Sequence, residues 1–516
     1  MAQQLQNITV AAPGFFGLNT MDSPIGLNPS FAAIADNCVI DQYGRVGARK
    51  GWTAVSTNGS SVLGSSRGIE TVFEFIDKSG DKVVLSAGNN KIFKGTSTLT
   101  DITPSGYTPT GNNWKVVNFN DHVYMFQRDH EPLIGTDHSG SFVLEAMSSH
   151  SHSTGTAPQG NEVLAAYGRL WVADITGNKH TIYWSDFLNG HAWSGGSSGS
   201  LDITEVWPSG YDEIVSLAAH NGFLIIFGKK SILVYSGADD TVTSGVFRLA
   251  DTIKGVGCIA RDSVQHTGTD ILFLSDSGVR SFGRTVQEKS MPMRDISKNV
   301  RNDINKAILS QTNPIKSIYS EDEAFYLLSF SESHLVYCFD MRGPLDESGA
   351  HRVTTWTAID PLSFAVLEDG SIYIGKDSGI VKYSGYVDGT ASYQLSYFSN
   401  PLDFGNAANL KFLKKFNLTL ISSPATPVTL NWGYDYTDSY TKQAFTFAGT
   451  AANVAEYGVS EYNTTAEYTS GTTIQTPKVN SSGSGEVVAI GLEAQINNAE
   501  FSIQKIDIHA LLGRLI

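Results

Sequence analysis

GFLIIFGKKSILVYSG (Gly222 to Gly237) decides how this chain is read. It is a run of five apolar residues, a polar Gly-Lys-Lys-Ser turn, and a second apolar run ending on an aromatic. Looser copies precede it as VVLSAGNNKIFKG (Val83 to Gly95), HVYMFQRDHEPLI (His122 to Ile134) and GRLWVADITGNKHTIYWSDF (Gly168 to Phe187). Others follow as DILFLSDSGVRSFG (Asp270 to Gly283), AFYLLSFSESHLVYCFD (Ala324 to Asp340) and GSIYIGKDSGIVKYSG (Gly370 to Gly385). The first apolar positions, Val83, Val123, Leu170, Phe223, Ile271, Phe325 and Ile372, are 40, 47, 53, 48, 54 and 47 residues apart. A four-stranded propeller blade needs about 40–50 residues, so the spacing predicts an all-β propeller of about seven blades.

Composition agrees. Gly at 50 of 516 residues implies many tight turns, and 11% aromatic residues suit strands. A 41% apolar fraction is enough for a large core. The net charge of −15, from 51 acidic against 36 basic residues, is the wrong sign for a sequence-specific DNA reader or a binder of anionic membranes. It suits solubility, or a DNA conduit whose weak repulsion keeps the polymer sliding. Cys38, Cys258 and Cys338 are odd in number and far apart, so buried free thiols in a reducing compartment are expected. MAQQLQNITVAAPGFF lacks the basic start and apolar core of a secretory signal, and no run approaches 18 apolar residues. The expectation is a protein made in the cytoplasm, with no membrane span.

The flanks differ from the repeats. Residues 1–55 are expected as an N-terminal arm, with a short helix around Pro29 to Asn37 (Phe31, Ile34 and Ala35 on one face) and a docking hairpin from Cys38 to Trp52. The propeller is placed at 56–390. Residues 391–516 alternate without the repeat's turn phrase and predict a separate antiparallel β-sandwich, with Phe501, Ile503, Ile506 and Ile508 on a central strand. Ser290 to Gln311 carries Ile296, Val300, Ile304 and Ile308 at helical spacing, with Asp295 available as a cap. Such a helix either packs within the chain or contacts a neighbour.

No reaction can be assembled from the motifs. His138, His150 and His152 form the closest histidine group, a possible metal clip, but lack a third ligand at regular spacing and read more simply as a solvated loop. Gly195 to Gly199 matches GxSxG without the strand-turn-helix context of a nucleophile elbow. Asp435 and Asp438 are a carboxylate pair beside aromatics, or ordinary turn residues. Arg45, Arg49 and Lys50 form the densest basic cluster, either a solvated hairpin edge or a clasp on an acidic partner subunit. The expectation is therefore a non-enzyme with no catalytic, cofactor or metal site.

Three phrases carry a family likeness. GLNTMDSPIGLNPSFAAIADNCVIDQYGRVGARKGW (Gly17 to Trp52) resembles the N-terminal signature of tail proteins from short-tailed bacteriophages, with its Ala-x-x-x-x-Asn-Cys and Arg-x-x-x-Arg-Lys-Gly motifs. IYWSDFLNGHAWS (Ile182 to Ser194) is similar to a blade phrase of that group, and DILFLSDSGVRSFG followed by DISKNVRNDI is similar to its later strand and helix. The resemblance implies a structural virion protein: a tail nozzle or hub subunit in a homo-oligomeric ring, typically a hexamer, below the portal and its adaptor. It further implies a conduit for double-stranded DNA during ejection, a platform for fibres, spikes or a tail needle, a place in the virion tail after assembly in the host cytoplasm, and no catalytic residues. This chain lacks the larger inserts of some members. The competing expectation is a receptor- or glycan-binding propeller using Trp171, Trp184, Trp193 and Tyr183 as stacking platforms. A polysaccharide-degrading propeller would need Arg, Glu and Tyr converging at its centre.

Overall fold

Each repeat phrase folds as two neighbouring antiparallel strands, because its apolar runs are short, β-rich and separated by turn residues. In the computed structural model, residues 5–515 are described except 65–67, 139–140, 240–245, 289–294, 346–348, 407, 423–425, 438 and 447–472. Six small sheets stand in a ring as a β-propeller. The first four blades are four-stranded and begin with Ile69–Ile76, Lys115–Phe119, Gly160–Ala166 and Ile214–His220. The fifth has three strands, Gln265–His266, Ile271–Ser275 and Gly278–Ser281. The sixth combines Ser363–Val366, Ile372–Lys376 and Gly379–Tyr383 with a strand from far upstream, Trp52–Ala54.

The blade count is six, not the seven expected from the markers. The phrase Ala324 to Asp340 does form an antiparallel pair, Phe325–Phe330 with Leu335–Asp340. Those strands, flanked by Lys316–Ser320 and Val353–Thr357, belong to a ten-stranded sheet that continues through Gly17–Leu18, Phe31–Asp36, Tyr393–Ser399, Val488–Ile496, Pro427–Tyr434 and Thr441–Thr446. One face packs Phe325, Leu327 and Trp356 against Ile372 and Ile374 of the sixth blade. The other places Tyr326 and Leu328 in one cluster with Leu272 and Leu274 of the fifth. An edge that would have ended a blade is instead paired, which removes an exposed strand edge.

Facing the ten-stranded sheet is an eight-stranded one built on Asn409–Ser422 and Phe501–Leu515. Phe416, Leu418 and Leu420 meet Leu430, Trp432 and Leu492 in a shared core. Phe501–Leu515 is central: it pairs with Asn409–Ser422 on one side and with Leu5–Ala11 and Val46–Ala48 on the other. Residues from the first fifty thus enter both sheets as strands.

No helix forms at Pro29 to Asn37. Phe31–Asp36 is a strand paired with Tyr393–Ser399, and a bulge between Ala32 and Ile34 shifts its alternation by one residue. The inward positions become Ala32 and Ala35, which imitates helical spacing. The amphipathic segment is helical over Arg301–Ser310 and packs within the chain, with Ile296, Val300 and Ile304 buried in the large core. Asp295 does not cap it; its buried carboxylate pairs with Arg301. Among the described residues no helix is long and apolar enough to cross a membrane.

Candidate functional site

The propeller brings together histidines that are far apart in sequence. Lys115–Phe119 turns into His122–Phe126 through Asn120 and Asp121, both at positive φ (48° and 65°), the backbone of a tight two-residue hairpin. His122 therefore stands at the mouth of its strand. Asn120 also donates to Leu188 O of the third blade at 2.7 Å. His150 follows the short 3-10 turn Met147–Ser149 on the link between the second and third blades. The loop after it is strapped to the loop carrying His191: Thr154 N donates to His191 O (3.2 Å), and Trp193 N to Thr154 O (2.7 Å). Gly190 lies so close to Tyr124 that a Cβ there would sit 2.8 Å from the phenol oxygen. Glycine lets this loop cross the tyrosine and lowers His191 onto the other two rings.

The ring centres are 4.8 Å apart for His150 and His191, 5.7 Å for His122 and His191, and 5.9 Å for His122 and His150. Their ligand nitrogens all lie within 4.8 Å of one another. Each ring is half-buried. His150 Nδ1 is bonded to Glu145 Oε1 and His122 Nδ1 to Asn120 O, both at 2.8 Å. Tyr124 Oη is 3.5 Å from His191 Nδ1. Burial, then the charges of His150, His122 and His152, pushes the His191 imidazole down to about 4, so it is neutral at pH 7. Three imidazoles on a shared centre are a transition-metal donor set.

From sequence, His138, His150 and His152 read as a solvated loop, with a metal clip as the alternative; the structure draws His150 towards other histidines. His150 joins His122 and His191; His152 is exposed, with its ring 5.9 Å from that of His150. His138 ends the strand Leu133–His138, and its side chain lies outside the described residues.

A second polar cluster occupies the propeller centre, where the first strands of the blades neighbour one another. Arg261 grips Asp262 with two nitrogens (2.8 and 2.9 Å) and also donates to Asn161 O and Asn113 Oδ1 at 2.7 Å. Lys316 reaches the same aspartate at 2.8 Å. Burial raises the Asp262 carboxyl, but Arg261 and Lys316 outweigh it and hold the group well below the usual carboxylate range. Glu162 accepts from Ser216 Oγ and Leu217 N, and burial pushes its pKa up. Arg261 and Glu162 are two of the residue types a polysaccharide-cleaving centre would use. All three Arg261 nitrogens, however, are engaged by protein acceptors, which makes this cluster a rivet between blades.

The basic cluster is engaged within the chain. Arg49 is fully buried and holds Asp388 through both terminal nitrogens (2.9 and 2.7 Å), with its guanidinium 4.1 Å above the Tyr393 ring. Arg45 pairs with Asp41 at 2.6 Å, and Lys50 pairs with Glu323. Ser197 of the GxSxG match donates to Asp186 at 2.8 Å and braces a turn. Asp435 accepts from Glu486 N at 2.6 Å in a turn of its own, while Asp438 lies outside the described residues. Trp171 and Trp184 pack on each other at 5.6 Å inside the blade core, Tyr183 accepts from Asn178, and Trp193 lies partly buried on Phe126. Cys38, Cys258 and Cys338 are buried and free, and burial raises each thiol's pKa.

No protein-family model matches the chain, and no curated protein matches it. Among solved structures it is similar to the extracellular domain of a putative one-component system from B. thetaiotaomicron (12% identity, TM-score 0.40, 66% of this chain and 40% of that one). It is also similar to the WD40 domain of Neurospora crassa Pan2 (10% identity, TM-score 0.35, 66% and 97%) and that of Toxoplasma gondii coronin (10% identity, TM-score 0.34, 74% and 86%). The chain spans about two fifths of the length of the first of these.

Proposed function

We propose that the chain is a structural subunit of a bacteriophage tail nozzle, assembling as a ring, with hexamer as the expected closure, below a portal-proximal adaptor. The observation that carries this reading is the path of Gly17 to Trp52, the segment with the strongest family likeness. It enters the ten-stranded sheet at Gly17–Leu18 and Phe31–Asp36, and the eight-stranded sheet at Cys38–Ile40 and Val46–Ala48. It then closes the sixth blade at Trp52–Ala54. A second likeness phrase, DISKNVRNDI, touches it directly: Thr20 N donates to Asn299 O at 2.9 Å. The motifs are joints between the sheets of the chain, as a ring subunit that must hold its shape needs. A single heterologous contact repeated by cyclic symmetry would close the tube. The net charge of −15 suits a passage through which DNA must not stick.

Electron microscopy of the full chain, alone and mixed with the adaptor of the same phage, tests this. Rings with an open axial channel are expected. A chain that stays monomeric with the adaptor, and is missing from purified virions by mass spectrometry, would refute the reading. Glycan-array binding by that monomer would support the receptor-binding class instead.

A further inference from the structure

We propose that His122, His150 and His191 bind one divalent first-row transition-metal ion, zinc being the ion best suited to the set, as a pin between the second and third blades. The proposal is independent of the nozzle reading. Three observations support it. The donor atoms already lie within 4.8 Å of one another, on three separate segments held by the Asn120–Leu188, Thr154–His191 and Trp193–Thr154 hydrogen bonds. Zinc–imidazole bonds of about 2.0–2.1 Å in a tetrahedron bring nitrogens to about 3.4 Å, which small side-chain rotations supply.

Second, the partners of the rings are those of metal-ligating histidines. With Nδ1–H of His150 directed at the Glu145 carboxylate and Nδ1–H of His122 at Asn120 O, the lone pair of each ring is on Nε2. The carboxylate behind His150 and the carbonyl behind His122 fix the tautomer and raise the basicity of the ligating nitrogen of those two rings. Third, His150 Nε2 is buried and has no hydrogen-bond partner among the described residues. A buried acceptor without a partner is costly, and a metal ion at the cluster's centre would satisfy it. His152, 5.9 Å from His150 by ring centres, is a histidine that could supply the fourth position, which water could otherwise fill. Glu145 is a positioning residue here: it acts through His150.

The test uses the full chain, stripped with a chelator and titrated with Zn2+ by calorimetry and with Co2+ by visible absorption. One equivalent per chain is expected, with the intense visible bands of four-coordinate cobalt and an upward shift in melting temperature. His150→Ala and His191→Ala should abolish stoichiometric binding. His334→Ala, an exposed histidine paired with Asp360 elsewhere, should leave it unchanged. Glu145→Gln should weaken affinity by about 10–100-fold. X-ray absorption on the zinc-loaded wild type needs no variant, and three imidazole scatterers are expected. No saturable binding, fewer than three imidazoles at the ion, or unaltered binding by His150→Ala/His191→Ala would overturn the proposal.

Discussion

Replacing Arg49 by alanine should loosen the junction between the closing strand and the sixth blade more than any other single change at a surface-distant charge. Arg49 donates to Asn37 Oδ1 (2.9 Å), Lys50 O (3.0 Å), Thr357 O (3.2 Å) and both oxygens of Asp388. Removing it strands Asp388, only 9% exposed, without its counter-charge. Breaking a buried ion pair from one side costs about 3–5 kcal/mol. Lysine has three donors for these five contacts and cannot form the fork, so Arg49→Lys loses at least two hydrogen bonds, about 2 kcal/mol in total. Arg49→Met combined with Asp388→Asn should be milder than Arg49→Met alone, because no charge is left unpaired. Hydrogen–deuterium exchange reads the effect locally. At about 1.4 kcal/mol per tenfold, a loss of about 4 kcal/mol accelerates exchange of the paired strands Trp52–Ala54 and Gly379–Tyr383 by roughly three orders of magnitude. Wild-type exchange in these strands of Arg49→Ala would show that the pair does not hold the junction.

The central rivet predicts a pH dependence. Because the folded Asp262 carboxyl is held below its unfolded value of about 3.9, its stabilisation is complete above that pH and is lost as pH falls through the lower folded pKa. Wild type should keep this contribution at pH 4, whereas Asp262→Asn should lose about 3–5 kcal/mol even at pH 7 by leaving Arg261 and Lys316 buried without it; urea midpoints at the two pH values check both. Deleting residues 1–11 uncovers the edge of Phe501–Leu515 along Lys505 to Leu511, and should yield a folded but aggregating protein by light scattering.

Much of the propeller is legible in local sequence, because each blade hairpin is made within one phrase. All seven markers fall in strands, Val83 in Lys82–Gly88 and Ile372 in Ile372–Lys376 among them. What a phrase cannot encode is who sits on its edge. Val353–Thr357 finds Gly17 and Asp36, more than 300 residues upstream, and that pairing merges one hairpin into a ten-stranded sheet. The bulge at Ala32–Ile34 hides a strand behind helical spacing. The histidine cluster fails to show for the same reason as the long-range pairing: His122 and His191 lie in different blades and meet only when those blades pack. His150 alone carries a visible signal, in HSH. Arg49 is a basic residue like any other until Asp388, Thr357 and Tyr393 close around it.

The sixth blade has a consequence for synthesis. Its outer strand, Trp52–Ala54, leaves the ribosome roughly 330 residues before its partner Gly379–Tyr383 exists. At about 5–20 residues per second, that edge waits roughly 20–60 s with no mate. Over that interval the blades accumulate one by one as an open arc, the fourth complete only at Lys254. Nascent-chain chaperones would meet the protein in that state, and a ribosome pause anywhere between the two strands would lengthen it.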